Sequence, residues 1–121
     1  MGKHFIAHMD IPTSDPSASS KFYGELFGWK INVDQSVNYF MFQPESGPGG
    51  GFVTPDMYGS KVGEVLVYVS TDDIDATLAQ AEALGGKTLM PKVEIPGNNG
   101  AFAFFADPSG NRIGLYTPPA Q

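Results

Sequence analysis

The sequence predicts an α+β fold made of one βαβββ module followed by a second. Three observations predict it. Strand-like and helix-like stretches run in the order strand, helix, three strands, and then in the same order again. Asp15 and Asp72, both suited to cap a helix N-terminus, stand 57 residues apart, as do Gly28 and Gly85, both suited to end a helix. The chain closes on Phe102 to Tyr116, where two apolar runs flank Asp107-Pro108-Ser109-Gly110-Asn111, the makings of a β-hairpin with a slightly long loop.

In chain order, Lys3 to Ile11 reads as a strand with His8 near its middle, ended by Pro12. Asp15 followed by Pro16 is a helix start, and Ala18, Phe22 and Leu26 recur every fourth residue as its apolar face. Gly28 stops that helix. Trp29 to Val33 and Asn38 to Gln43 read as strands, Glu45 to Gly51 as a loop by composition, and Phe52-Val53 as a further strand. Thr54 to Gly63 reads as a linker.

Glu64 to Ser70 is strongly β-prone. Asp72-Asp73 can cap a second helix whose apolar face is Ile74, Leu78 and Ala81, with Gly85-Gly86 at its end. Lys87 to Met90 reads as a strand and Pro91 to Gly100 as an exposed loop, after which the hairpin follows. The expected organisation is one domain over residues 1–121, with module one at about 3–54, a linker at about 55–63 and module two at about 64–117.

Composition narrows the function. The formal net charge is −6, and the seven Lys and Arg residues are scattered, so no nucleic-acid partner is expected. No apolar run approaches the length of a membrane span, and no signal peptide is evident, so no membrane partner is expected. There is no Cys, which removes disulfides, thiolate zinc sites and Cys nucleophiles and fits a cytoplasmic location. The glycine loop Gly47-Pro48-Gly49-Gly50-Gly51 lacks the phosphate-binding pattern and enters a strand rather than a helix, so it reads as a turn with room for close approach.

Three stretches carry a family resemblance. Phe22-Tyr23-Gly24-Glu25-Leu26-Phe27-Gly28-Trp29, Asp72-Asp73-Ile74-Asp75-Ala76 leading to Gly85-Gly86-Lys87, and the Asp107 to Asn111 turn, in this order, resemble the vicinal oxygen chelate superfamily of glyoxalase I, bleomycin-resistance proteins and extradiol dioxygenases. The resemblance implies a curved mixed sheet around a cleft. It also implies, for metal-dependent members, one ligand from the first strand and one from the last strand of each module. Those positions fall on His8, on Gly50 or Gly51, on Val65 or Leu66, and on Gly114. His8 alone offers a donor. Glu64 is one residue off and so on the opposite face, and His4 is about 13 Å from His8 along an extended strand. The expectation is therefore no metal ligand set and no cofactor, with a divalent metal ion as the alternative.

His8 is the candidate catalytic residue, as a base or hydrogen-bonding group, and it is equally a packing residue of a strand. Phe42, Phe52, Tyr68, Phe104 and Tyr116 are candidate ligand-lining aromatics, with Arg112 at the rim for an anionic group. The leading reading is a glyoxalase/bleomycin-resistance-like protein that binds a small organic molecule in an aromatic cleft without metal, and the resemblance implies a homodimer. The alternatives are a metal-dependent lyase, isomerase or dioxygenase of the superfamily using His8, and a non-catalytic interaction module.

Overall fold

The computed structural model describes residues 4–119. Its elements are β1 (Ile6–Pro12), α1 (Pro16–Phe27), β2 (Lys30–Asp34), β3 (Tyr39–Gln43), β4 (Gly49–Val53), β5 (Leu66–Ser70), α2 (Ile74–Ala83), β6 (Lys87–Glu94), β7 (Ala101–Ala106) and β8 (Arg112–Thr117). This is βαβββ twice, as the sequence order predicts. The expected strand start at Lys3 lies outside the described residues. The chain divides into two compact units, residues 8–66 and residues 67–119 together with 4–7. The short 4–7 segment joins the second unit through the Phe5 carbonyl, which accepts from the Ser70 amide at 2.8 Å, and through His4 Nδ1, 3.1 Å from the Ser70 carbonyl.

The first unit has strand order β2-β3-β4-β1. β1 and β4 run parallel, and β2, β3 and β4 are antiparallel neighbours. Asp15 caps α1 by accepting from the Ala18 amide, Pro16 takes the first turn, and Gly28 closes the helix in the left-handed region at φ 73°. The face that α1 turns to the sheet is not the Ala18–Phe22–Leu26 stripe. Those three side chains are exposed, and Ser20 is the helix's buried residue. Small residues explain the choice. Ser20 and Gly24 let the helix lie close to the sheet, where a Cβ on Gly24 would already touch Ile31 Cγ1 at 3.6 Å. Tyr23 then reaches into an aromatic stack, with Trp29 at 5.5 Å and Phe52 at 5.6 Å between ring centroids, and Trp29 stacks on Phe42 at 4.6 Å.

β4 begins at Gly49, so three glycines read as loop are strand residues. Their lack of side chains is used by neighbouring rings: a Cβ on Gly50 would come within 2.7 Å of Phe42 Cζ.

The second unit repeats the plan with order β5-β8-β7-β6, β5 and β8 parallel, and β6, β7 and β8 antiparallel. Asp73, rather than Asp72, is the N-cap of α2, accepting from the Ala76 amide. The internal repeat is thus 58 residues at the caps. The linkage before each helix repeats with it: Thr13 Oγ1 meets Ser19 Oγ at 2.6 Å, and Thr71 Oγ1 meets Thr77 Oγ1 at 2.8 Å. Ile74 and Leu78 pack on Ala101, Ala103 and Leu115, with Val69 and Phe105 beside them. β6 continues through Pro91 to Glu94, longer than expected. Pro91 is tolerated because β6 is the outermost strand of its unit and its pairing with β7 shifts register between Thr88 and Met90 and again between Met90 and Val93. In the closing turn, Asp107 accepts from the amides of Ser109 and Asn111, each at 2.9 Å, and from the Asn111 side chain at 3.0 Å.

Candidate functional site

β1 and β3 bring three different polar side chains together in the first unit. His8 and Asp10 are two residues apart on β1 and so share a face. Gly51 lies opposite Asp10 in the parallel pairing and opposite Met41 in the antiparallel one, which puts Tyr39 and Met41 on that same face. It is the face away from the Tyr23–Trp29–Phe42–Phe52 stack. The Tyr39 hydroxyl donates to Asp10 Oδ1 at 3.0 Å, His8 Nε2 lies 3.0 Å from the same oxygen, and the imidazole nitrogen and phenol oxygen are 3.1 Å apart.

Asp10 is 8% exposed and Tyr39 half-buried, while the His8 side chain keeps 32% of its surface. Burial pushes the Tyr39 hydroxyl well above the usual phenol range, and the charge and hydrogen bond of Asp10 push it further. Tyr39 is therefore a donor throughout the physiological range. It has one proton and gives it to Asp10, which leaves the Nε2 side of His8 to act as the donor within the triangle. The arrangement can hold an imidazole in a fixed orientation beside a carboxylate.

Of the residues that sequence reasoning proposed, His8 sits in this triangle. Phe42 and Phe52 are placed elsewhere. At 2% and 1% exposed they belong to the helix-facing stack: Phe42 pairs with Gly50 and Phe52 with Phe40, so alternation puts both on the face opposite Met41 and Gly51, where their rings meet at 5.1 Å. Their surfaces are used in packing, which corrects their assignment as lining residues.

The other four share one face of the second unit. Tyr68 and Phe104 both pair with Gly114, Tyr116 pairs with Phe102, and Arg112 with Ala106, so all four point away from the α2 core. The Arg112 guanidinium carbon lies 4.9 Å from the Phe104 ring centroid, Tyr68 and Phe104 are 6.0 Å apart, and Phe102 and Phe104 are 5.6 Å apart. The Tyr116 hydroxyl is spent on the Asn99 carbonyl at 3.0 Å. Phe104 is 3% and Tyr68 8% exposed, so of the four Arg112 and Tyr116 are the more accessible.

Residues 5–115 match the family model described as the Glyoxalase/Bleomycin resistance protein/Dioxygenase superfamily. The chain belongs to this superfamily. A glyoxylase-like domain-containing protein of Didymella fabae is 29% identical over 96% of this chain and 95% of its own length. The anthracycline biosynthesis protein DnrV of Streptomyces peucetius is 30% identical over 91% of this chain but 46% of its own length. This chain spans less than half the length of the mycobacterial and Streptomyces relatives it matches, 43% and 46%. Among solved structures, methylmalonyl-CoA epimerase from Mycobacterium tuberculosis superposes with a TM-score of 0.67 over 95% of this chain and 88% of its own, at 16% identity. That likeness is one of fold.

The metal that the superfamily uses in some members does not fit the residues here. Among the described residues no three His, Asp or Glu side chains are grouped to hold an ion. The last-strand positions carry Gly51 and Gly114, and the space beside each is filled. A Cβ on Gly51 would run into the Tyr39 hydroxyl and ring, and one on Gly114 into the Tyr68 ring, with Cε2 at 2.7 Å. Glu64 precedes β5 and is exposed, outside the strand that would aim it.

Sequence reasoning does not place Asp10 or Tyr39 in the site. One signal was available: a carboxylate at mid-strand, two residues from a histidine, is costly to bury unless something pairs with it.

Proposed function

We propose that this chain binds a small organic molecule without a metal ion, and that the His8–Asp10–Tyr39 triangle is its polar anchor. The carrying observation is the convergence of an imidazole, a carboxylate and a phenol within 3.1 Å of one another on one sheet face, with the imidazole partly exposed. A group of fixed donors and acceptors with a partly exposed imidazole suits a ligand oxygen better than an apolar surface does. In the second unit, Arg112 and Tyr116 beside the Phe104 ring suit a planar ligand with an anionic or hydroxyl group. The relative named for anthracycline biosynthesis supports a polycyclic aromatic class.

The test is calorimetric titration with a dihydroxyanthraquinone and with catechol, in chelator and again with added zinc. Saturable binding that is unchanged by chelator and weakened at least about tenfold in His8→Ala (about 1.4 kcal/mol) is the expected result. Binding that appears only with zinc, or none with any planar hydroxylated probe, overturns it.

A homodimer and a cytoplasmic location belong to the same proposal. The exposed Ala18–Phe22–Leu26 stripe offers an apolar surface for self-association, and the absence of Cys suits a reducing compartment. The net charge of −6 supports the absence of a nucleic-acid partner. Among the described residues no helix is long and apolar enough to cross a membrane.

The His8–Asp10 pair favours a second reading, an acid–base isomerase or lyase with His8 as the proton carrier. A turnover lost in His8→Ala, with a pH profile displaced in Asp10→Asn, would select it.

A further inference from the structure

The two modules place glycine at one and the same position. The Thr13–Asp15–Ser19 linkage of module one corresponds to Thr71–Asp73–Thr77 of module two, so Asp10 and Tyr68, each three residues before the threonine, correspond as well. Asp10 pairs with Gly51 across the parallel β1–β4 ladder, and Tyr68 pairs with Gly114 across the parallel β5–β8 ladder. Gly51 and Gly114 are therefore equivalent, and both lie under a tyrosine ring. The rings arrive by different routes. Tyr39 comes from β3, two strands away from β1 through β4, and Tyr68 comes from β5 itself. The repeat has reached the same filling twice from non-equivalent positions.

We infer that in each module a tyrosine ring occupies the volume of the last-strand side chain, and that in module one this ring is what keeps a metal ion out of the space beside His8 and Asp10. The inference supplies the steric cause of the metal-free reading above and stands whether or not an organic ligand is found. Tyr39 fills the place from which a third donor would reach His8 and Asp10, and its hydroxyl takes the carboxylate oxygen an ion would need. With the ring gone and a carboxylate restored, His8, Asp10 and the new side chain form an imidazole and two carboxylates on one sheet face, a donor set suited to zinc or nickel.

The experiment compares wild type, Tyr39→Ala, Gly51→Ala, Gly51→Glu, Tyr39→Ala/Gly51→Ala and Tyr39→Ala/Gly51→Glu by nickel and zinc titration, elemental analysis and thermal unfolding. Gly51→Ala and Gly51→Glu alone are expected to lower Tm and to bind no metal. Tyr39→Ala is expected to relieve much of the Gly51→Ala loss. The Tyr39→Ala/Gly51→Glu protein is expected to take up about one equivalent, weakened at least about tenfold when His8→Ala is added. Stoichiometric metal in the wild type overturns the inference. So does a Gly51→Ala protein as stable as wild type, or a Gly51→Ala loss that Tyr39→Ala leaves untouched. A Tyr39→Ala/Gly51→Glu protein that folds and binds no metal overturns the claim that the ring is the barrier. The Gly51→Ala comparison needs no ligand, so its failure is distinct from failure of the anthraquinone titration.

Discussion

The Tyr39 hydroxyl reaches Asp10 Oδ1 at 3.0 Å although 29 residues separate them. The contact exists because β4 lies between β1 and β3 and carries glycine at the crossing, so the Tyr39 ring passes over a strand with no side chain in its way. A buried carboxylate gains a donor, and a half-buried phenol gains an acceptor that holds its proton in place.

Tyr39→Phe is expected to destabilise the fold by about 2 kcal/mol near neutral pH, because Asp10 loses one of its donors while staying buried. The pH dependence has a defined sign. The native phenol is raised above its ordinary value, so the stability it carries is complete below about pH 10, where the unfolded tyrosine titrates, and is lost as pH rises beyond that. Urea unfolding of both proteins between neutral and alkaline pH should show the wild-type advantage shrinking above about pH 10. An advantage that is constant into strong alkali would place Tyr39 elsewhere.

Phe52→Ala and Phe22→Ala should behave oppositely. Phe52 is almost wholly buried between Tyr23 and Phe42, and its truncation is expected to cost about 3–5 kcal/mol. Phe22 is 59% exposed, and its truncation in the monomer should fall within about 0.5 kcal/mol of wild type. Denaturant midpoints measured at low protein concentration check both. A large loss in Phe22→Ala that grows with protein concentration would point to burial between copies.

The second helix depends on one cap. Asp73→Ala is expected to cost about 1 kcal/mol and Asp73→Asn much less, since the amide oxygen can still accept from Ala76. Helix fraying followed by amide exchange at Ala76 and Thr77 reports it directly. Equal losses in the two variants would mean that charge, rather than the capping bond, is what counts.

The closing turn carries an acid-range signature. The Asn111 side chain and amide, with further amides of the turn, hold the Asp107 carboxyl below its usual range. Its contribution should be present above about pH 4, where the unfolded carboxylate is ionised, and be lost as pH falls through the lower native value. Carbon-detected NMR titration of Asp107 checks the direction, and Asp107→Ala should speed amide exchange at Ser109 and Asn111.

The sequence made local features legible and left lateral ones hidden. Asp15, Pro16 and Gly28 announce α1 because capping is chemistry between near neighbours. Glycine at position 114 was readable as a missing donor, since no structure is needed to see that it lacks a side chain. The Asp10–Tyr39 contact was hidden because it depends on which strand lies between two others, and spacing along the chain does not encode that. The Ala18–Phe22–Leu26 stripe misled for a related reason: hydrophobic periodicity finds an apolar face, while the sheet selected the flatter Ser20–Gly24 face and filled the gap with Tyr23. Gly49 to Gly51 read as a loop because glycine usually signals one, whereas here it clears space for rings.

Pro91 has a consequence for behaviour in crowded solution. An outermost strand offers a row of open backbone groups to any passing extended chain, and unbroken rows of this kind seed fibrils. In β6 that row is interrupted where Pro91 has no N–H to offer, and the two register shifts, one between Thr88 and Met90 and one between Met90 and Val93, make the strand a less regular template. Lys92 and Glu94, paired at 3.6 Å, add charge to the same edge. The irregular pairing of β6 therefore makes that edge a poor template for a sheet from another molecule.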